Sequence, residues 1–154
     1  MSSGTGPGGR PVKTGWLDEG SQLAKSLKSK AKRYGKLDRP LILAINTNDV
    51  FTSDQDEHEA LLGTRHGIWC NDSPTRHQRV HGVLFFRGLL PNNMHSVDSR
   101  LYVNPNIRAD IPEELLTLSN MWQRSGKWQV KQGLSLGEVL ELPDDWPGEV
   151  TATN

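Results

Sequence analysis

RPLILAINTND, residues 39–49, is the stretch on which the fold turns. After Pro40, Leu41-Ile42-Leu43-Ala44-Ile45 is a continuous apolar run too short for a helix, and it ends at the polar Asn46-Thr47-Asn48-Asp49. An apolar run of that length bounded by turn residues reads as a buried strand. A strand apolar on both faces belongs to a parallel or mixed sheet covered by helices. Ahead of it, Leu23, Leu27, Ala31 and Tyr34 recur at helical spacing, predicting an amphipathic helix over 18–34 that Gly35 stops. A helix feeding such a strand is half of an α/β layer. Ligands in open α/β sheets gather beyond the carboxyl ends of strands, which singles out Asn46, Asn48 and Asp49.

Downstream, Thr52 or Ser53 can cap a second helix running to Leu62, with Gln55 placed to form a box with Thr52 and Gly63 closing it. Gly67-Ile68-Trp69-Cys70 reads as a short strand, and Val80–Phe86 contains a second strong apolar run, Val83-Leu84-Phe85-Phe86. Beyond Pro91 the pattern weakens. An edge strand is expected at Leu101-Tyr102-Val103, a short helix over 112–118 and a strand at Trp128-Gln129-Val130. Ser135 and Glu138 form a capping box that opens a last helical turn before Pro143. The fold class is therefore α/β or α+β: a partial mixed sheet with a basic helix, a buried strand, and a loop-rich C-terminal extension. Residues 1–17, rich in Gly, Ser and Pro, are expected to be a disordered head, 18–148 one domain or half-domain, and 149–154 a loose tail.

With 154 residues the chain is long enough for one domain with a core of its own. Its mean hydropathy of −0.59 and its 15 glycines and 9 prolines indicate many loops. No apolar run approaches the roughly 18 residues of a membrane span, and no targeting segment opens the chain, so a cytoplasmic protein without membrane association is expected. Cys70 is the single cysteine, which excludes an internal disulfide. The formal charge is zero, but residues 1–39 carry nine bases against three acids and residues 110–154 three against eight. The basic front and acidic back attract each other within one fold, or mark a nucleic-acid-facing end.

Two further sets of residues are candidates for chemistry. Lys25, Lys28 and Lys32 lie opposite the apolar stripe of the first helix, and Arg76 and Arg79 precede the strand at 80–86; together they form a candidate nucleic-acid contact. His66, Cys70, His77 and His81 lie close in sequence, two of their intervals resemble zinc-binding pairs, and they form a candidate zinc site. The central gap of six residues is shorter than the roughly twelve of a zinc finger, so no metal or other cofactor is favoured. Gly4-x-Gly6-x-x-Gly9 lacks the preceding strand that a dinucleotide fingerprint needs. No nucleophile elbow, phosphate loop or metalloprotease motif is present.

Read in order, KSKAKRYGKLDRPLILAIN (28–46), ALLG (60–63), GIWC (67–70), TRHQRVHGVLFFRGLLP (75–91), LYVNPN (101–106) and LSLGEVLELPDDWPG (134–148) resemble the C-terminal part of a family of uncharacterised bacterial proteins. Longer members of that family resemble PD-(D/E)xK nucleases, in which a carboxylate hairpin precedes a helix and a buried strand. The resemblance implies that the helix and strand are retained here and the hairpin is not. No Asp-x-Lys or Glu-x-Lys occurs in the chain, and Gln129-Val130-Lys131 is the nearest form. The expected role is a remnant or accessory half of a nuclease-like protein, without catalysis of its own, whose missing part a protein partner supplies.

Overall fold

The structure is a computed structural model, and it describes residues 19–35, 37–47, 52–70, 77, 79–107 and 111–148. Along the chain these form α1 (Glu19–Arg33), β1 (Leu41–Thr47), α2 (Asp54–Leu62), β2 (Val80–Arg87), β3 (Asp98–Val103), α3 (Glu113–Leu116), β4 (Asn120–Arg124), β5 (Lys127–Lys131) and α4 (Leu136–Val139). The five strands make one mixed sheet in the order β1-β2-β3-β4-β5. Pairing is parallel between β1 and β2 and between β3 and β4, and antiparallel between β2 and β3 and between β4 and β5. The chain is thus an α/β protein, as its helix and strand periods predict.

One face of the sheet is covered by α1 and α2. Ala24, Leu27 and Ala31 of α1 and Ala60 and Leu61 of α2 join Leu41, Leu43, Ile45, Val83, Phe85, Tyr102 and Met121 in the larger core. Burying a side chain such as Leu27, which is 0% exposed, stabilises the fold by about 1.5–3 kcal/mol. On the other face Leu84, Phe86, Leu101, Ile111 and Leu118 form a second core, against which Leu136 and Val139 of α4 pack.

Four sequence expectations are corrected. The Gly67–Cys70 segment is a turn and not a strand, because its amides continue the C-terminal end of α2: Gly67 donates to Gly63, Ile68 to Ala60 and Trp69 to Leu61. A side chain at Gly67 would stand 2.5 Å from the Gly63 nitrogen, so only glycine permits that close approach. Ser53, one of the two expected caps, does cap α2, but its partner in the capping box is Asp56, so the expected box of Thr52 with Gln55 does not form. β3 is central and not an edge, because β4 and β5 follow it in the sheet. The buried stripe of α1 is Gly20, Ala24, Leu27 and Ala31, and Tyr34 at its end is half exposed.

β4 and β5 form a hairpin closed by Ser125 and Gly126, both at positive φ (52° and 75°). Two successive left-handed residues define the turn type whose twist suits a two-residue hairpin.

Candidate functional site

β1 is the outermost strand on its side of the sheet. Leu41, Leu43, Ile45 and Thr47 are buried on the face beneath the helices, whereas Ala44 and Asn46 on the other face are exposed. The outer backbone edge of β1 pairs with no strand among the described residues. An open edge is a row of unpaired amides and carbonyls, ready to accept another strand. α1 packs mainly on α2 and only lightly on β1. On that lightly covered side a cleft of about 240 Å³ separates Leu23 and Ser26 of α1 from Ile45 and Thr47 of β1. Leu23 is only partly buried, and Tyr34 and Leu37 are 50% and 48% exposed past the end of α1.

The basic residues expected to contact nucleic acid are distributed unevenly. Lys25 and Lys32 are exposed on α1 and Lys28 is half buried. The Arg79 guanidinium donates to the Ala31 carbonyl near the C-terminal end of α1, where the helix dipole favours a cation. The helix and the start of β2 therefore do share one basic end. Arg76 lies outside the described residues.

Two of the four candidate zinc ligands, Cys70 and His81, make hydrogen bonds to the backbone. The Cys70 thiol donates to the Thr64 carbonyl, His81 Nδ1 lies within hydrogen-bond distance of both the Arg79 carbonyl and the Leu41 amide, His77 is buried and His66 is exposed. Among the described residues no group of three or more His, Cys, Asp and Glu could hold a metal ion.

Sequence reasoning missed a charged network that runs from the buried Glu57 out to the exposed Asp54 and Asp98. Glu57 of α2 is 0% exposed and accepts from Arg87 Nε at 2.9 Å and from the Tyr102 hydroxyl at 2.7 Å. Asp54, one turn earlier, bridges Arg87 at 2.5 Å and Arg100 at 2.6 Å, and Asp98 accepts two bonds from Arg100. The Arg100 hydrogen bond holds the Asp54 carboxyl down at about 2, and burial followed by the Glu57 charge pushes the Tyr102 phenol up. Each carboxylate faces an arginine, so the network's work is to lock α2 onto β2 and β3. The available signal was the spacing of Glu57, Ala60 and Leu61, which places one acid on the buried face of α2, with Asp54 one turn earlier at its rim.

His58, beside Glu57, stacks on Trp128 of β5 at 5.4 Å and meets Tyr102 edge-on at 5.6 Å. Its Nε2 is buried without a hydrogen-bond partner among the described residues. Burial lowers the imidazole pKa from 6.5, against the opposing pull of Asp54 and Glu57. This aromatic contact ties the last strand of the sheet to α2.

No family model matches the chain, and neither a curated protein nor a solved structure shows significant similarity to it. In the described residues no helix is long and apolar enough to cross a membrane.

Proposed function

We propose that this chain is a non-catalytic accessory half of a nuclease-like, restriction-endonuclease-like protein, completed by a protein partner whose strand joins the outer edge of β1. The observation that carries this reading is the outer edge of β1, free of any charged residue and unpaired among the described residues, beside a helix whose Leu23 is only partly buried next to a cleft. The resemblance to longer proteins with a carboxylate hairpin ahead of the helix and strand supplies the direction, since a hairpin preceding α1 can join the sheet at that edge. The partner strand has apolar side chains on the face under α1 and small or polar ones beside Ala44 and Asn46. Asp54, Glu57 and Asp98 are all engaged by arginine, which leaves none of them free for metal-assisted hydrolysis.

Light scattering of the purified chain and of Ala44→Lys, together with incubation of the chain with plasmid and Mg²⁺, tests this. The expected result is concentration-dependent self-association that Ala44→Lys abolishes, with stability altered by no more than about 0.5 kcal/mol and the plasmid intact. A chain that stays monomeric whatever residue stands at 44, or that cuts plasmid alone, contradicts the reading.

A second reading, phosphate binding by the basic side of α1, is favoured by the Arg79–Ala31 hydrogen bond, which adds a cation to the helix bearing Lys28 and Lys32. It calls for salt-dependent binding that Lys28→Gln and Lys32→Gln weaken.

A further inference from the structure

β4 and β5 pair with Trp122 opposite Gln129 and Arg124 opposite Lys127. Successive side chains on a strand point to opposite faces, so Trp122 points away from the helix-covered face, to which Met121 is committed. Residues opposite each other, or two apart along a strand, share a face. One face of the hairpin therefore presents Trp122 and Gln129 with Arg124, Lys127 and Lys131 around them. Trp122 is 38% exposed, and Arg124, Lys127, Gln129 and Lys131 are all exposed.

The segment from Asn120 to Lys131 contains no acidic residue, although residues 110–154 as a whole carry eight acids against three bases. All three of those bases are on this one hairpin. None of them makes an ion pair among the described residues. Arg124 and Lys127 stand directly opposite each other, a like-charge pair that disfavours the hairpin. A local rule broken without a compensating contact within the protein points to a ligand that supplies the counter-charge.

We propose that this face of the β4–β5 hairpin binds single-stranded nucleic acid, with Trp122 as the stacking platform for an unpaired base and Arg124, Lys127 and Lys131 as phosphate contacts. Every nucleobase offers a π-face, so one exposed indole among cations grips a strand with little sequence preference. Gln129, beside the indole, can donate to and accept from a base edge. A duplex buries its base faces and leaves Trp122 unused. An anionic membrane is a poorer fit, because the hairpin tip, Arg124-Ser125-Gly126-Lys127, has no apolar side chain to insert. The surface lies on the opposite side of the sheet from α1 and is distinct from the β1 edge, so the inference does not rest on the accessory-half reading.

Fluorescence anisotropy of a labelled twelve-residue oligothymidylate, titrated with the full chain over a salt series, tests the proposal. Three phosphate contacts to a single strand give a slope of log K against log salt of about −2. Trp122→Ala is expected to weaken binding about tenfold or more while Trp122→Phe retains most of it, and Lys127→Gln with Lys131→Gln flattens the slope to about −0.7. The contrasting variant is Lys25→Gln with Lys28→Gln and Lys32→Gln on α1, the face that the phosphate-binding reading of that helix expects to carry the contact. The proposal is overturned if the α1 substitutions abolish binding while the hairpin substitutions do not, or if a duplex of equal length competes as well as the single strand. It is equally overturned if phosphatidylserine vesicles bind the chain through Trp122 and the oligonucleotide does not.

Discussion

The two edges of the sheet are built on opposite plans. β5, KWQVK, carries a lysine at each end and exposes Gln129 and Val130, and its Trp128 stacks on His58. β1, LILAINT, has no charged residue, and above its outer side α1 leaves Leu23 part-covered over a cleft. Lysines on an edge strand discourage another strand from pairing, because docking would strip water from their charges. One edge is closed by chemistry, and the other meets no strand among the described residues. The difference teaches that a sheet's completeness is read from its edge residues rather than from the size of its core.

The sharpest way to break that comparison lies in α1. Leu27→Ala is expected to cost about 2–5 kcal/mol, because its side chain is wholly enclosed. Leu23→Ala, on the flank facing the cleft, is expected to cost about 1 kcal/mol in the isolated chain, and more once a strand lies beneath it. Urea midpoints of the two variants measure the difference, and equal losses in the isolated chain would mean that the β1 side is already covered.

A smaller effect tests the β5 edge through pH. The folded-state pKa of His58 lies below its unfolded value of 6.5, so its contribution is complete above that pH and is lost as the solution is acidified below it. Asp54, held at about 2 against 3.8 when unfolded, contributes above 3.8 and loses that contribution as pH falls toward 2. Thermal melts should therefore show two separate acid steps. His58→Phe, which keeps a ring against Trp128, should remove the higher step and leave the lower.

Much of this architecture was legible. The 3.6 and apolar-run patterns located α1, β1, α2 and β2, because each presents a long enough apolar face to a core. β4 was not legible, since in Asn120-Met121-Trp122-Gln123-Arg124 only Met121 is buried among apolar residues and no period is repeated. The strand exists because its hairpin with β5 and its parallel pairing to β3 supply hydrogen bonds that a local pattern does not encode. That β1 ends the sheet was equally hidden, because an apolar run reads the same at an open edge as at a sheet's centre. The Lys25, Lys28 and Lys32 face of α1 was visible in the spacing, whereas Glu57, Arg87 and Tyr102 were scattered over the chain and meet only when α2 crosses the sheet.

Amide hydrogen exchange of β1 in the purified monomer tests the open edge most directly. Every second amide of β1 points away from β2, and these are predicted to exchange far faster than the amides of β2 and β3, which have a strand on both sides. Uniform protection of β1 in a monomer, as slow as in β2, would mean that the edge is already occupied and would contradict the account.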